Sequence, residues 1–295
     1  MREPVTVACA QVEPVLFDRD ATIARIAEVA REAAAGDAGL ILFPEAFVPG
    51  YPSNRWVRFL AGGADAQPVY ARLARESLEV PGPESDRIGE IAREHGLWLA
   101  VGANELSGGT IYNALLLYGP DGELRLHHRK LMPTNHERLV WGLGDGTGLE
   151  AVEAGLGRVG GLICWENLMP LARFALYESG VEIYLAPTAD DSEDWHDSMR
   201  HIARESRAFV LSCCVLQHAS SYPDDVPLSE GDDLIGRGGS AILAPDGSYL
   251  AGPVWDEECI LHAELHPQLL YEQRQRFDPA GHYHRPDVLR LKRRR

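Results

Sequence analysis

Residues 158–186 read RVGGLICWENLMPLARFALYESGVEIYLA, and this stretch decides the fold. Arg158 to Cys164 is a short apolar run of the kind found in strands buried on both faces. Leu168 to Gly180 reads as a helix, and Val181 to Ala186 as the next strand. The same rhythm extends in both directions. Upstream, Val5 to Val12 is a strand. Asp18 caps a helix whose stripe is Ile23, Ile26, Ala27, Ala30 and Ala34, ended by Gly36 and Gly39. Gly39 to Phe43 is an apolar strand, Ser85 to His95 a helix followed by Gly96, and Leu97 to Val101 a strand. Downstream come a helix, Trp195 to Arg207, and a strand, Ala208 to Leu216. Two hairpins interrupt this alternation. One joins Tyr112–Tyr118 to Glu123–Arg129 through Gly119-Pro-Asp-Gly122, the other Ser240–Leu243 to Ser248–Ala251 through Pro245-Asp-Gly247. No linker, low-complexity segment or short-period repeat divides the chain. The expectation is an α/β layered fold in one domain spanning residues 1–295.

Composition narrows the function. The 295 residues are 45% hydrophobic and 24% charged, the balance of a globular chain rather than a disordered or fibrous one. Lys+Arg number 28 and Asp+Glu 44, so the formal charge is −16. Such a surface repels phosphate backbones, and no nucleic-acid partner is expected. The longest apolar run, Ala208 to Leu216, falls far short of the ~18–20 residues of a membrane span. Met1-Arg2-Glu3-Pro4 lacks an apolar signal core, so no membrane association and a cytoplasmic location are expected. The cysteines, Cys9, Cys164, Cys213, Cys214 and Cys259, are odd in number and irregularly spaced, which suits free thiols. Cys213 and Cys214 point to opposite faces if their run is a strand. The acidic loop Asp190–Asp197 reads as carboxylates capping and charging the start of the Trp195 helix, not as a metal site. The second, Asp224–Asp233, also lacks EF-hand spacing. A short basic tail at about 286–295, with Arg290, Lys292, Arg293, Arg294 and Arg295, reads as a solvated, frayed end.

Three groups stand at ends of apolar strands, where α/β folds place function. Glu45 leaves the Gly39–Phe43 strand into a Pro-rich turn. It is either an ordinary loop carboxylate or a desolvated base with a raised pKa. Lys130 ends the run His127-His128-Arg129-Lys130, with Glu137 seven residues on. A cation there stabilises developing negative charge; a solvated basic face is the alternative. Adjacent His127 and His128 face opposite ways on a strand and do not form a zinc site. Cys164 enters a sharp turn before a helix, the setting of an activated, partly exposed thiolate.

Phe-Pro-Glu45, His-Arg-Lys130 and Ile-Cys164-Trp-Glu-Asn resemble the Glu–Lys–Cys triad of the nitrilase superfamily. Residues 129–138, 141–146, 164–173, 195–202 and 281–287 resemble its true nitrilase branch; most superfamily amidases instead carry Cys-Tyr-Asp after the nucleophile. The resemblance implies a four-layer α-β-β-α sandwich. It implies Glu45 as general base, Lys130 as charge stabiliser, Cys164 as nucleophile, Glu137 as the second glutamate, and the Trp165 N–H as a donor to the developing anion. The implied reaction converts a small-molecule nitrile to carboxylic acid and ammonia through a thioimidate and a thioester, with no metal or organic cofactor. An amide or carbamoyl hydrolase using the same triad is the alternative. The family also implies a homodimer or higher homo-oligomer, paired through the helices at Leu168–Gly180 and Trp195–Arg207, with Leu171, Phe174, Ala175 and Leu176 offering apolar surface. Because filament-forming members continue well beyond Arg285-Pro-Asp287, limited assembly is expected. Tyr51, Trp56, Trp141, Trp165 and Trp195 either line an aromatic pocket or belong to the core.

Overall fold

The computed structural model describes residues 1–62 and 66–293. In chain order its regular elements are β1 (Val5–Gln11), α1 (Arg19–Ala35), β2 (Ala38–Leu42), α2 (Asn54–Val57), α3 (Gln67–Glu76), α4 (Pro83–His95), β3 (Trp98–Ser107), β4 (Thr110–Tyr118) and β5 (Leu124–Arg129). There follow β6 (Val152–Glu153), β7 (Arg158–Gly161), α5 (Pro170–Glu178), β8 (Ile183–Thr188), α6 (Glu193–Ser206), β9 (Phe209–Cys214), β10 (Leu216–His218), β11 (Leu234–Leu243), β12 (Tyr249–Trp255), β13 (Cys259–Leu265) and α7 (Pro267–Arg276).

The strands form two sheets. The first has the order β13-β1-β2-β3-β4-β5, the second β10-β11-β9-β8-β7-β6 with β12 added on β11. Strands β1, β2 and β3 run parallel, as do β7, β8 and β9, so both sheets present strand C-termini at one end. Side chains alternate between faces along each strand. Val7, Cys9, Leu40, Leu42 and Leu115 of the first sheet meet Val159, Ile183, Leu185, Phe209 and Cys213 of the second in one buried layer. The opposite face of the first sheet, with Ala8, Ile41 and Val101, packs on Ile23, Ile26 and Val29 of α1 and Ile88 of α4. The opposite face of the second, with Tyr184, Val210 and Cys214, packs on Leu176 of α5 and Met199 and Ile202 of α6. This is the four-layer α-β-β-α sandwich, and Cys213 and Cys214 lie on opposite faces. Each fully buried Leu, Ile or Phe stabilises by about 1.5–3 kcal/mol, against about 1 kcal/mol for a strand hydrogen bond. The three apolar layers therefore fix how the sheets stack.

Local signals behave as their chemistry dictates. The Asp18 carboxylate accepts from Ala21 N–H at 2.9 Å and starts α1. Gly96, at φ +65°, ends α4 in the left-handed region. Several elements differ from expectation. The Leu168–Gly180 helix starts only at Pro170, which lacks an N–H and suits the first helical position; a 3₁₀ turn, Cys164–Leu168, precedes it. Strand Ala208–Leu216 breaks at Val215, whose N–H bonds Thr188 O while its carbonyl accepts from Gly238. Ser192, not an acidic residue, caps α6 by accepting from Trp195 N–H at 3.2 Å; Glu193 and Asp194 charge its first turn. The C-terminal segment is not frayed throughout: Leu291 packs against the α5–α6 layer and Arg293 donates to Leu149 O. Arg294 and Arg295 lie outside the described residues. Ala175 and Leu176 are fully buried and offer no surface, whereas Leu171 is 69% exposed. Among the described residues no helix is long and apolar enough to cross a membrane.

One glycine governs how the turn after β2 rests on its sheet. A Cβ on Gly102 of β3 would stand 2.2 Å from Pro44 O and 2.5 Å from Ala46 N. Only glycine lets the Glu45 turn lie this close to the sheet.

Candidate active site

The turn after β2 carries Glu45 inward, with no solvent exposure. Its Oε1 accepts from Lys130 Nζ at 2.7 Å and from Asn113 Nδ2 at 2.8 Å. Its Oε2 accepts from the backbone N–H of Ala189 at 2.8 Å. Lys130 follows β5 and is held there by its own N–H, which donates to Asn113 O at 2.7 Å. Its ammonium also donates to Glu137 Oε2 at 2.7 Å. Glu137 accepts further from Thr134 N–H at 2.6 Å and from the Tyr51 hydroxyl at 2.8 Å. The Trp141 ring stands 5.4 Å from Lys130 Nζ, and its indole N–H is fixed on Asn104 Oδ1.

Cys164 opens the 3₁₀ turn after β7 with φ at +51°, a strained conformation for a side chain bearing a Cβ. The Thr188 hydroxyl donates to its Sγ at 3.2 Å. Thr188 ends β8, and the next residue supplies the N–H to Glu45, so one strand end touches both thiol and carboxylate. As one of the first groups of a helical turn, the Trp165 N–H has no partner within that turn. The Trp165 side chain points outward, 43% exposed, with its indole N–H on Asp190 Oδ2 at 2.7 Å.

The structure thus brings Glu45, Lys130, Glu137 and Cys164 together. Burial raises the Glu45 carboxyl above its ordinary range despite Lys130. Burial alone would lower Lys130; Glu45, Cys164 and Glu137 outweigh it and hold the ammonium charged. The thiol departs from expectation. Cys164 is only 4% exposed, and burial, reinforced by Glu45 and Glu137, pushes its pKa up beyond what Lys130 and Thr188 offset. The side chain is buried rather than partly exposed, and its surroundings disfavour the thiolate.

The aromatic residues divide. Tyr51 and Trp141 stand at the site, against Glu137 and Lys130, whereas Trp165 turns its indole outward to Asp190. Trp56 packs edge-on against Phe17 in the core, and Trp195 donates its indole N–H to Ser212. His127 bonds Glu105 while His128 faces the opposite side, toward Glu166. Among the described residues no His, Cys, Asp or Glu group is arranged to hold a metal. Asn113 and Thr188 escape the sequence reading, although each is a polar residue in an apolar strand that needs a partner.

The carbon-nitrogen hydrolase family profile matches residues 6–275, and the chain belongs to that family. It lies in the nitrilase branch. An aliphatic nitrilase of Sinorhizobium fredii is 43% identical over 96% of this chain and 94% of that protein. Nitrilase 1 of Arabidopsis thaliana is 40% identical over 97% of this chain and 86% of that protein. The crystal structure of Saccharomyces cerevisiae Nit3, a member of branch 10 of the nitrilase superfamily, superposes with a TM-score of 0.75. That match covers 95% of this chain and 97% of that one at 20% identity, a likeness of fold.

Lys130→Met leaves two buried carboxylates without their cation, which costs about 3–5 kcal/mol near pH 8. A carboxyl with a raised folded pKa favours the folded state at low pH and loses that contribution as pH rises. Glu45 is already raised and rises further in the variant. Melting curves should therefore show a Tm deficit that is large at pH 8 and shrinks toward pH 5. A deficit that is constant or grows on acidification would contradict this electrostatic account.

Proposed function

We propose that this protein hydrolyses nitriles to a carboxylic acid and ammonia through covalent catalysis at Cys164. What carries this reading is the convergence of one ammonium and two carboxylates on a strained, buried thiol in a chain of the nitrilase branch. The thiol is neutral at rest, so its proton moves as bonding begins. Glu45, with its raised pKa, takes that proton as sulfur adds to the nitrile carbon, and returns it to nitrogen to give a thioimidate. Lys130 and the Trp165 N–H face the charge that grows on nitrogen. Glu45 next deprotonates a water that adds to the thioimidate carbon. Collapse expels ammonia and leaves a thioester. A second water hydrolyses the thioester, and the thiol regains its proton. Two waters are consumed for each acid and ammonia formed. Glu137 holds Lys130 through a second ion pair beside that with Glu45, and no metal or organic cofactor enters the scheme.

Attack on a linear nitrile requires room for one small group, whereas an amide brings a second polar substituent to satisfy. For matched carbon skeletons, kcat/KM should favour the nitrile over the amide by at least ~100-fold, roughly 2.7 kcal/mol. Mass analysis should show acid as the main product and amide as a minor one. Equal rates, or preference for the amide, would favour the amide-hydrolase reading and leave the triad assignment standing.

The same reading takes the protein as a cytoplasmic homo-oligomer. Five unpaired cysteines support a reducing compartment. The exposed Leu171 and half-buried Phe174 on α5 support pairing of two copies through this face. Light scattering should report at least a dimer at working concentration; a monomer would contradict it.

A further inference from the structure

Glu166, two residues beyond the thiol, is a buried carboxylate to which the nitrile chemistry gives no role. Its Oε1 accepts from the N–H of Leu131 at 2.7 Å, and its Oε2 from the N–H of Ile163 at 2.7 Å. His128 Nε2 stands 3.1 Å from both oxygens. Burial opposes its charge, but His128 and the two N–H groups outweigh that and keep its pKa below the usual carboxylate range.

The two backbone donors belong to different sheets. Leu131 follows Lys130, at the end of β5 in the first sheet. Ile163 precedes Cys164, after β7 in the second sheet. One rigid carboxylate thus joins the segment bearing the ammonium to the segment bearing the thiol. Asn167 braces the nucleophile's own turn, through Leu162 O and Cys164 O; Glu166 reaches across the two sheets. The bond to Ile163 also closes the turn that holds Cys164 at its positive φ. Charge-assisted bonds of this length to backbone N–H groups are about twice as strong as neutral ones, so the link is stiff.

We propose that Glu166 is a positioning residue that sets the spacing between Lys130 and Cys164. The carboxylate is required for its two acceptor oxygens. A carboxamide at this position offers one oxygen, and its NH₂ would confront a backbone N–H. One of the two links must then open. The inference rests on the nucleophile and cation roles assigned to Cys164 and Lys130 under the proposed function.

The test is Glu166→Gln, assayed for turnover and for alkylation of Cys164 by iodoacetamide at fixed pH. With the spacing lost, kcat should fall ~100-fold, the scale of an ångström misplacement, while KM stays within ~3-fold. Alkylation should slow by ~10-fold, because Lys130 no longer supports the thiolate. A carboxylate that only staples the fold predicts the opposite: loosening would uncover the buried thiol and alkylation would quicken. Unchanged or faster alkylation, or a kcat near that of the parent, overturns the proposal. If Glu166→Gln does not fold, Glu166→Asp carries the test, since it keeps both oxygens but draws them back by one methylene. Slower alkylation with KM retained supports the proposal there; unchanged or faster alkylation overturns it. Full activity of the parent enzyme after alkylation at Cys164 would instead bring down the nucleophile reading, and this inference with it.

Discussion

A single ammonium, Lys130 Nζ, lies 2.7 Å from each of two carboxylates in a region closed to solvent. The rest of the site is arranged around that contact. Buried charges cost several kcal/mol each unless every lone pair and proton is used. Hydrogen bonds offset much of that cost here: Ala189 N–H and Asn113 donate to Glu45 beside Lys130, and Thr134 N–H and Tyr51 donate to Glu137. Two carboxylates and one cation leave a net negative charge beside Cys164. Burial, with that excess added, disfavours the thiolate. A resting thiolate would gain from Lys130 but would have to stand among two anions without water.

The architecture makes this contact possible by bringing strand ends together. Glu45 follows β2, Lys130 follows β5, Cys164 follows β7, and Thr188 ends β8. Two antiparallel steps, β3 to β4 and β4 to β5, return β5 to the direction of β2, β7 and β8 run parallel in the other sheet, and the bonds of Glu45 to Lys130 and to Ala189 bring the two sets of strand ends together. The apolar layer between the sheets sets their separation, and Gly102 removes the one Cβ that would push the Glu45 turn away. Packing thus reaches the chemistry through backbone positions rather than through flexible side chains. The positive φ at Cys164 belongs to the same arrangement, held by bonds from both sides of the turn.

The parts legible in sequence are those whose physics is local. Apolar runs, the Asp18 cap, the Gly96 stop and the Pro-Asp-Gly turns each act within a few residues, and the layered α/β architecture follows from their alternation. β13 and α7 escape because nearly all of the strand, on both faces, and most of the helix remain at least half-exposed, so neither has a clear apolar period. In the site, Glu45, Lys130, Glu137 and Cys164 stand out through motif and strand-end position. What surrounds them does not. Asn113 and Thr188 acquire meaning from groups 68 and 24 residues distant in sequence, and Glu166 from groups 38 and 35 residues distant as well as from Ile163 close by. The protonation state of the thiol is illegible for the same reason. A strand-to-helix turn indicates where Cys164 lies, but its burial and two neighbouring anions come from other parts of the chain.

The central claim is that bond making occurs at Cys164 and at no other thiol. Its most direct test is acid-quenched turnover of a slowly hydrolysed nitrile, with peptide mass analysis of the quenched protein. An acyl or imidoyl adduct, of the mass set by the nitrile used, is expected on the peptide containing Cys164. Cys9, Cys213, Cys214 and Cys259 should be unmodified. Turnover with no covalent species on Cys164, or with the adduct on one of the other four cysteines, would contradict the claim.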